Sequence, residues 1–129
     1  MKIRIKRNSI RFRLTKSEVA EFCEKGYIEE RTVFEDAAFV YGIQMVENVE
    51  GLSAELKDGK ILLKVSENMS ADWDATNKVG FEDTFSLQNG DALHLLLEKD
   101  FTCMDDRGED ESDNYPNPKL ASAPKSEMP

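Results

Sequence analysis

The chain has 129 residues, a net charge of −9, 40 % apolar residues and 33 % charged ones. That length suits one domain with a single core, and the acidic balance argues against nucleic-acid binding through the phosphate backbone. No apolar run reaches the ~20 residues of a membrane helix, MKIRIKR has no apolar stretch behind it to make a signal peptide, and Cys23 and Cys103 make no disulfide framework, so the expectation is a cytosolic protein that does not enter membranes.

Residues 2–6 alternate Ile3 and Ile5 with Lys2, Arg4 and Lys6, and residues 10–14 alternate Ile10, Phe12 and Leu14 with Arg11 and Arg13. Period-two alternation marks a half-buried strand. Arg7-Asn8-Ser9 supplies turn chemistry, since asparagine tolerates positive φ. The two strands therefore form a hairpin with one apolar and one basic face. No acid precedes Glu18.

Thr15 stops the second strand and starts a helix predicted over 16–25. Thr15-x-x-Glu18 reads as a capping box, in which each side chain takes the other residue's backbone N–H, with Leu14 and Val19 as the hydrophobic staple. Val19, Phe22 and Cys23 make one apolar stripe, and Cys23 is expected to be an inert buried thiol. Gly26 fits the left-handed position past the helix end, with Tyr27 touching Phe22 in a Schellman contact.

Residues 27–34 and 38–46 read as strands, the second with Phe39, Tyr41, Ile43 and Met45 on one face and Gly42 marking a bulge or a close approach. Asp58-Gly59 predicts a two-residue type I′ turn that pairs Leu56 with Ile61, Ala54 with Leu63 and Leu52 with Val65. Residues 67–79 lack a strand pattern, and a short helical turn over 70–74 with Trp73 as a core anchor is expected. Around Asn89-Gly90 a three-residue loop with a bulge at Gly90 pairs Phe85 with Leu93 and Phe81 with Leu97. Glu82, Thr84, Ser86 and His94 then share the opposite face. No internal repeat is apparent.

Composition changes after Phe101. Six acids and one Arg occupy 105–113, and Tyr115-Pro116-Asn117-Pro118 follows. The expected organisation is one domain over 1–104, an acidic extended segment over 105–118 packing on it, and a disordered tail over 119–129. Together the elements predict an α+β domain of mainly antiparallel sheet, with about seven strands, one firm helix and one short one. A strongly curved sheet or small barrel with the helix over one opening is the first expectation, and an open sheet packed on the helix the second.

Catalytic signatures are missing from the sequence. His94 is the only histidine and no motif places an acid beside it. Cys103 sits among carboxylates, which raise a thiol pKa. Residues 105–113 lack calcium-loop spacing, and there is no phosphate-binding or dinucleotide-binding glycine loop. No metal or cofactor is expected. The constellation with chemical content is the basic hairpin face: Lys2, Arg4, Lys6, Arg11 and Arg13. Such cations on paired strands repel each other unless something acidic lies across them. Three readings follow: an open solvated face, pairing with the acidic segment or with Glu29 and Glu30, or a site for an external anion such as a phosphorylated ligand. The functional expectation is a non-enzymatic binding or interaction domain whose partner is a protein or a small anion, with no role for nucleic acid. The alternative is a binder of, or enzyme acting on, a small anionic ligand at that face.

At MKIRI, NSIRFRLTKSEV, KVGFE, LEKDF and EDESDNYPNP the chain resembles a small bacterial protein family of unknown function. The resemblance covers nearly all of 1–118 and implies no activity, cofactor or catalytic residue. The triphosphate-tunnel barrels are a second comparison, being antiparallel with alternating charged residues. They carry Glu-x-Glu-x-Lys near the N-terminus, where this chain has Lys2-Ile3-Arg4-Ile5-Lys6. The metal-binding glutamates of that signature are missing.

Overall fold

The computed structural model describes residues 1–101. The expectations for 105–118 and 119–129 lie outside the described residues. Eight strands run in the order β1 Lys2–Lys6, β2 Ser9–Leu14, β3 Tyr27–Val33, β4 Ala38–Val46, β5 Leu52–Lys57, β6 Lys60–Ser66, β7 Gly80–Ser86 and β8 Ala92–Lys99. Helix α1 spans Lys16–Lys25, the short helix α2 spans Glu67–Ser70, and a 3-10 turn covers Trp73–Ala75. The expected single turn over 70–74 is thus two separate turns.

The strands form two four-stranded sheets, ordered β1-β2-β8-β7 and β3-β4-β6-β5. The domain is mostly strand with two helices, and four of its six strand pairings are antiparallel; the corrections are that both sheets are mixed, that the strands number eight, and that they form two sheets with no closed barrel. Each sheet is two antiparallel hairpins joined edge to edge by a parallel central pair, β2 with β8 and β4 with β6. The pair β2 and β8 joins opposite ends of the described chain and the pair β4 and β6 skips over β5, and nothing local in the sequence announces either. The two sheets face each other without closing into one barrel, around a core that includes Phe12, Leu14, Phe22, Ile43, Leu63, Val65, Trp73, Leu95 and Leu97.

The topology also contains an internal repeat, contrary to the sequence expectation. The first half gives β1–β2 to one sheet and β3–β4 to the other, and the second half gives β5–β6 and β7–β8 the other way round. The registers match. Phe12 pairs with Ile3 and Leu97, and Leu63 pairs with Ala54 and Ile43. His94 N–H donates to the Asn8 carbonyl in the first turn, and Val40 N–H donates to the Gly59 carbonyl in the second. Buried positions correspond: Ile10 with Ile61, Leu14 with Val65, Phe22 with Trp73, Ile28 with Phe81. Burial is kept while identity is not, so the repeat leaves little trace in the letters.

Local expectations fare better. The capping box at Thr15 and Glu18 is complete, and Gly26 takes φ +77°. Its N–H bonds the Phe22 carbonyl in a single αL closure. The Tyr27 hydroxyl donates to Glu29. Asp58 and Gly59 both have positive φ, as a type I′ turn requires. In the first hairpin it is Arg7, not Asn8, that takes positive φ (+52°). Asn8 instead uses its side-chain amide to reach the Ala92 carbonyl at 2.7 Å. The three-residue loop at Gly90 is present, with φ +95° there and Phe85 opposite Leu93. Gly42 is a close approach: a Cβ would lie 3.0 Å from the Ile28 carbonyl oxygen. Leu56 keeps the expected register but is exposed at the sheet's end.

Candidate functional site

The basic residues of the N-terminal hairpin come together on the outer face of the β1-β2-β8-β7 sheet. The inward residues Ile10, Phe12 and Leu14 are buried, which turns Arg11 and Arg13 outward from the central strand β2 by strand alternation. Across the antiparallel pair, Lys2 lies opposite Arg13 and Arg4 opposite Arg11. On the other side β8 runs parallel and brings Glu98 opposite Arg13. Both guanidiniums converge on that one carboxylate oxygen, Arg13 Nε at 3.4 Å and Arg11 Nε at 3.6 Å. Lys2 Nζ reaches Asp100 at 2.9 Å.

Glu98 and Asp100 are therefore the counter-charges of this face, and the sequence reading missed them. Of the intramolecular partners the sequence suggests, the acidic segment lies outside the described residues, Glu29 pairs with Lys60 at 3.3 Å, and Glu30 lies 3.7 Å from the α-amino group of Met1. The signal that could have found Glu98 is the apolar set Leu93, Leu95 and Leu97, which puts Glu98 on the outer side of β8. What it lacked was the parallel pairing with β2.

The charges remain unbalanced. One carboxylate serves two arginines, and among the described residues Arg4, Lys6 and Arg7 form no ion pair. The equivalent face of the other sheet is different. There Lys2, Arg4, Arg11 and Arg13 correspond to Ser53, Glu55, Leu62 and Lys64; Lys64 pairs with Glu55 at 3.0 Å and Lys60 with Glu29, while Arg31 and Lys57 form no ion pair among the described residues. Lys60 also donates to the Tyr27 hydroxyl and lies over its ring. The Tyr27 hydroxyl and Lys60 hold the Glu29 carboxyl below its usual range.

His94 stands on the basic face as an exposed residue, its Nδ1 3.1 Å from the Thr84 hydroxyl. Cys23 is half-buried on α1, short of the full burial expected, with its thiol 3.4 Å from the Ser70 carbonyl, and burial raises its pKa. Cys103 lies outside the described residues. Two cavities sit elsewhere. One of about 280 Å³ opens between the sheets at the hairpin turns, lined by Ile5, Ile10, Leu56 and Ile61. Another of about 500 Å³ lies by α1, lined by Leu14, Lys16, Val19, Lys99 and Phe101. Arg4, Arg11 and Arg13 line neither. Among the described residues, no group of three or more His, Cys, Asp or Glu side chains is placed to hold a metal ion, and no helix is long and apolar enough to cross a membrane.

These features define an α+β domain of two mixed sheets, one with an excess of positive charge on its outer face. The chain belongs to the family of unknown function DUF7009, whose family model matches residues 1–119. No curated protein and no solved structure matches it.

Proposed function

We propose that this domain is a binding module whose basic sheet face receives an extended acidic stretch of a partner polypeptide. The observation that carries the reading is the asymmetry between the two sheets. The same architecture is built twice, and only one copy carries cations at the positions of Lys2, Arg4 and Arg11, where the other has Ser53, Glu55 and Leu62. The fold itself does not demand them.

An edge strand does gain from lysines that block stray pairing, which accounts for Lys2 and Lys6 on β1. It does not account for Arg11 and Arg13, because β2 is a central strand with neighbours on both sides. Like charges opposite each other cost stability, so Arg4 across from Arg11 favours an anionic partner. Outward cations recur every second residue along a strand, roughly 6.6 Å apart. That ladder suits carboxylates spaced along an extended chain. A compact phosphate is better held by donors converging in a pocket, and this face is an open sheet surface.

The test is fluorescence anisotropy of a labelled oligoglutamate peptide with the full chain at low salt. Binding should weaken steeply as salt rises and fall at least ten-fold in the Arg4→Glu/Arg11→Glu variant. Equal binding by that variant would overturn the reading. Saturable binding of pyrophosphate in place of the peptide would favour the small-anion alternative.

A further inference from the structure

We infer that this chain pairs with a second copy of itself through the end of the fold where the hairpin turns lie, closing the apolar mouth between the two sheets. The inference goes beyond the binding reading above and does not depend on it.

The first observation is apolar surface that the fold leaves uncovered. Ile5 and Leu56 hold equivalent places in the two halves, each one residue pair in from its turn, opposite the buried Ile10 and Ile61. Strand alternation points both toward the facing sheet, yet Ile5 is 54 % exposed and Leu56 71 %. The facing sheet does not cover them, and the cavity of about 280 Å³ lined by Ile5, Ile10, Leu56, Ile61 and Leu93 opens there instead. Val33 and Phe34 add to this end. The Val40 N–H donates to the Gly59 carbonyl, which sets the β3–β4 turn beside the Asp58-Gly59 turn, and both Val33 and Phe34 are exposed. Exposed apolar residues scattered singly are ordinary, whereas a gathering of them marks a contact surface.

The second observation is charge, and it identifies the occupant. Around the mouth the two signs stand apart. Lys6 and Arg7 occupy the β1–β2 turn, and Glu35 and Asp36 the β3–β4 turn. All four are exposed, and none forms an ion pair among the described residues. The other two turns contribute less, with Lys57 beside Asp58 in one and Asp91 in the other. In a twofold interface residue i meets residue j and j meets i. An axis that sets the Lys6-Arg7 turn of one copy against the Glu35-Asp36 turn of the other therefore joins opposite charges twice. The same end of the molecule supplies the apolar centre and both halves of a charged rim, so it is complementary to itself.

Sedimentation velocity of the full chain from micromolar to millimolar concentration tests this, and should show a monomer–dimer equilibrium. Lys6→Glu/Arg7→Glu makes both turns acidic, and Glu35→Lys/Asp36→Lys makes both basic. Each variant alone should dimerise at least ten-fold more weakly than the wild type. Mixed one to one, the two variants match at both contacts and should pair again, as a hetero-dimer resolved by native mass spectrometry. Leu56→Asp, at an exposed position, should dissociate the dimer while the circular dichroism spectrum stays unchanged. A monomer at every concentration overturns the inference and leaves the mouth to a different protein. Charge variants that dimerise as the wild type does, or a mixture that fails to pair, overturn it as well. None of these failures touches the reading of the basic face, which oligoglutamate binding tests separately.

Discussion

Phe12 and Leu63 hold the same position in the two halves of the fold. Each sits in a central strand, each lies between an antiparallel and a parallel neighbour, and both are fully buried. Because each half sends one hairpin to each sheet, neither half can bury its apolar face alone. Phe12→Ala should cost about 3–5 kcal/mol and Leu63→Ala about 2–5 kcal/mol. Wild type and variants should unfold in one transition, with Trp73 fluorescence and far-ultraviolet circular dichroism coinciding. Two separated transitions would show that the halves are independent units.

The same pair shows what could be read from the sequence. Alternation marked β2, and the Asp58-Gly59 turn set the register of β5 with β6, because these signals are local. The partners of β2 and β4 on the parallel side are not their hairpin mates: β8 comes from the far end of the described chain and β6 from beyond β5. Period-two patterns say which face is buried but not which strand lies alongside. The basic face was legible for that reason, and Glu98, its counter-charge, was not. The repeat stayed hidden because Phe12 and Leu63, or Phe22 and Trp73, share burial without sharing identity.

The helix caps give a second prediction. Thr15→Ala removes the hydroxyl that accepts from Glu18 N–H and should cost about 1 kcal/mol. Gly26→Ala forces a Cβ into left-handed space and should cost a similar ~1 kcal/mol. Urea denaturation measures both. Midpoints equal to the wild type would contradict the capping assignment.

A third prediction concerns the contact between sheet edges. Asp83 on β7 accepts from the Leu52 N–H on β5 at 2.9 Å, and a Cβ on Gly51 would lie 2.0 Å from the same carboxylate oxygen. Asp83→Ala leaves that N–H without its partner and should cost about 1–3 kcal/mol. Gly51→Ala should also destabilise, and the double variant should cost less than the sum, since removing the carboxylate relieves the clash. Additive losses in a denaturation cycle would argue that the two sites do not touch.

The fourth prediction is a pH dependence. Burial pushes the Glu18 carboxyl up, but the α-amino group of Met1 and the Thr15 backbone, both bonded to it, outweigh that and hold it below 4.5. A carboxyl whose folded pKa is depressed stabilises the fold above its unfolded pKa, and the contribution is lost as pH falls through the folded value. Glu18→Gln should therefore lower the melting temperature at neutral pH and flatten its fall on acidification below about 4.5. A variant whose loss of melting temperature is the same at neutral pH and at the acid end would contradict the ionised pairing.

The account stands most directly on where an acidic chain docks. Backbone amide chemical shifts of the isotope-labelled full chain can be followed during titration with oligoglutamate. The predicted result is a contiguous set of shifts along β1, β2 and β8, centred on Arg4, Arg11 and Arg13 and reversed by salt. Shifts confined to the outer face of the β3-β4-β6-β5 sheet, or to α1, would contradict it.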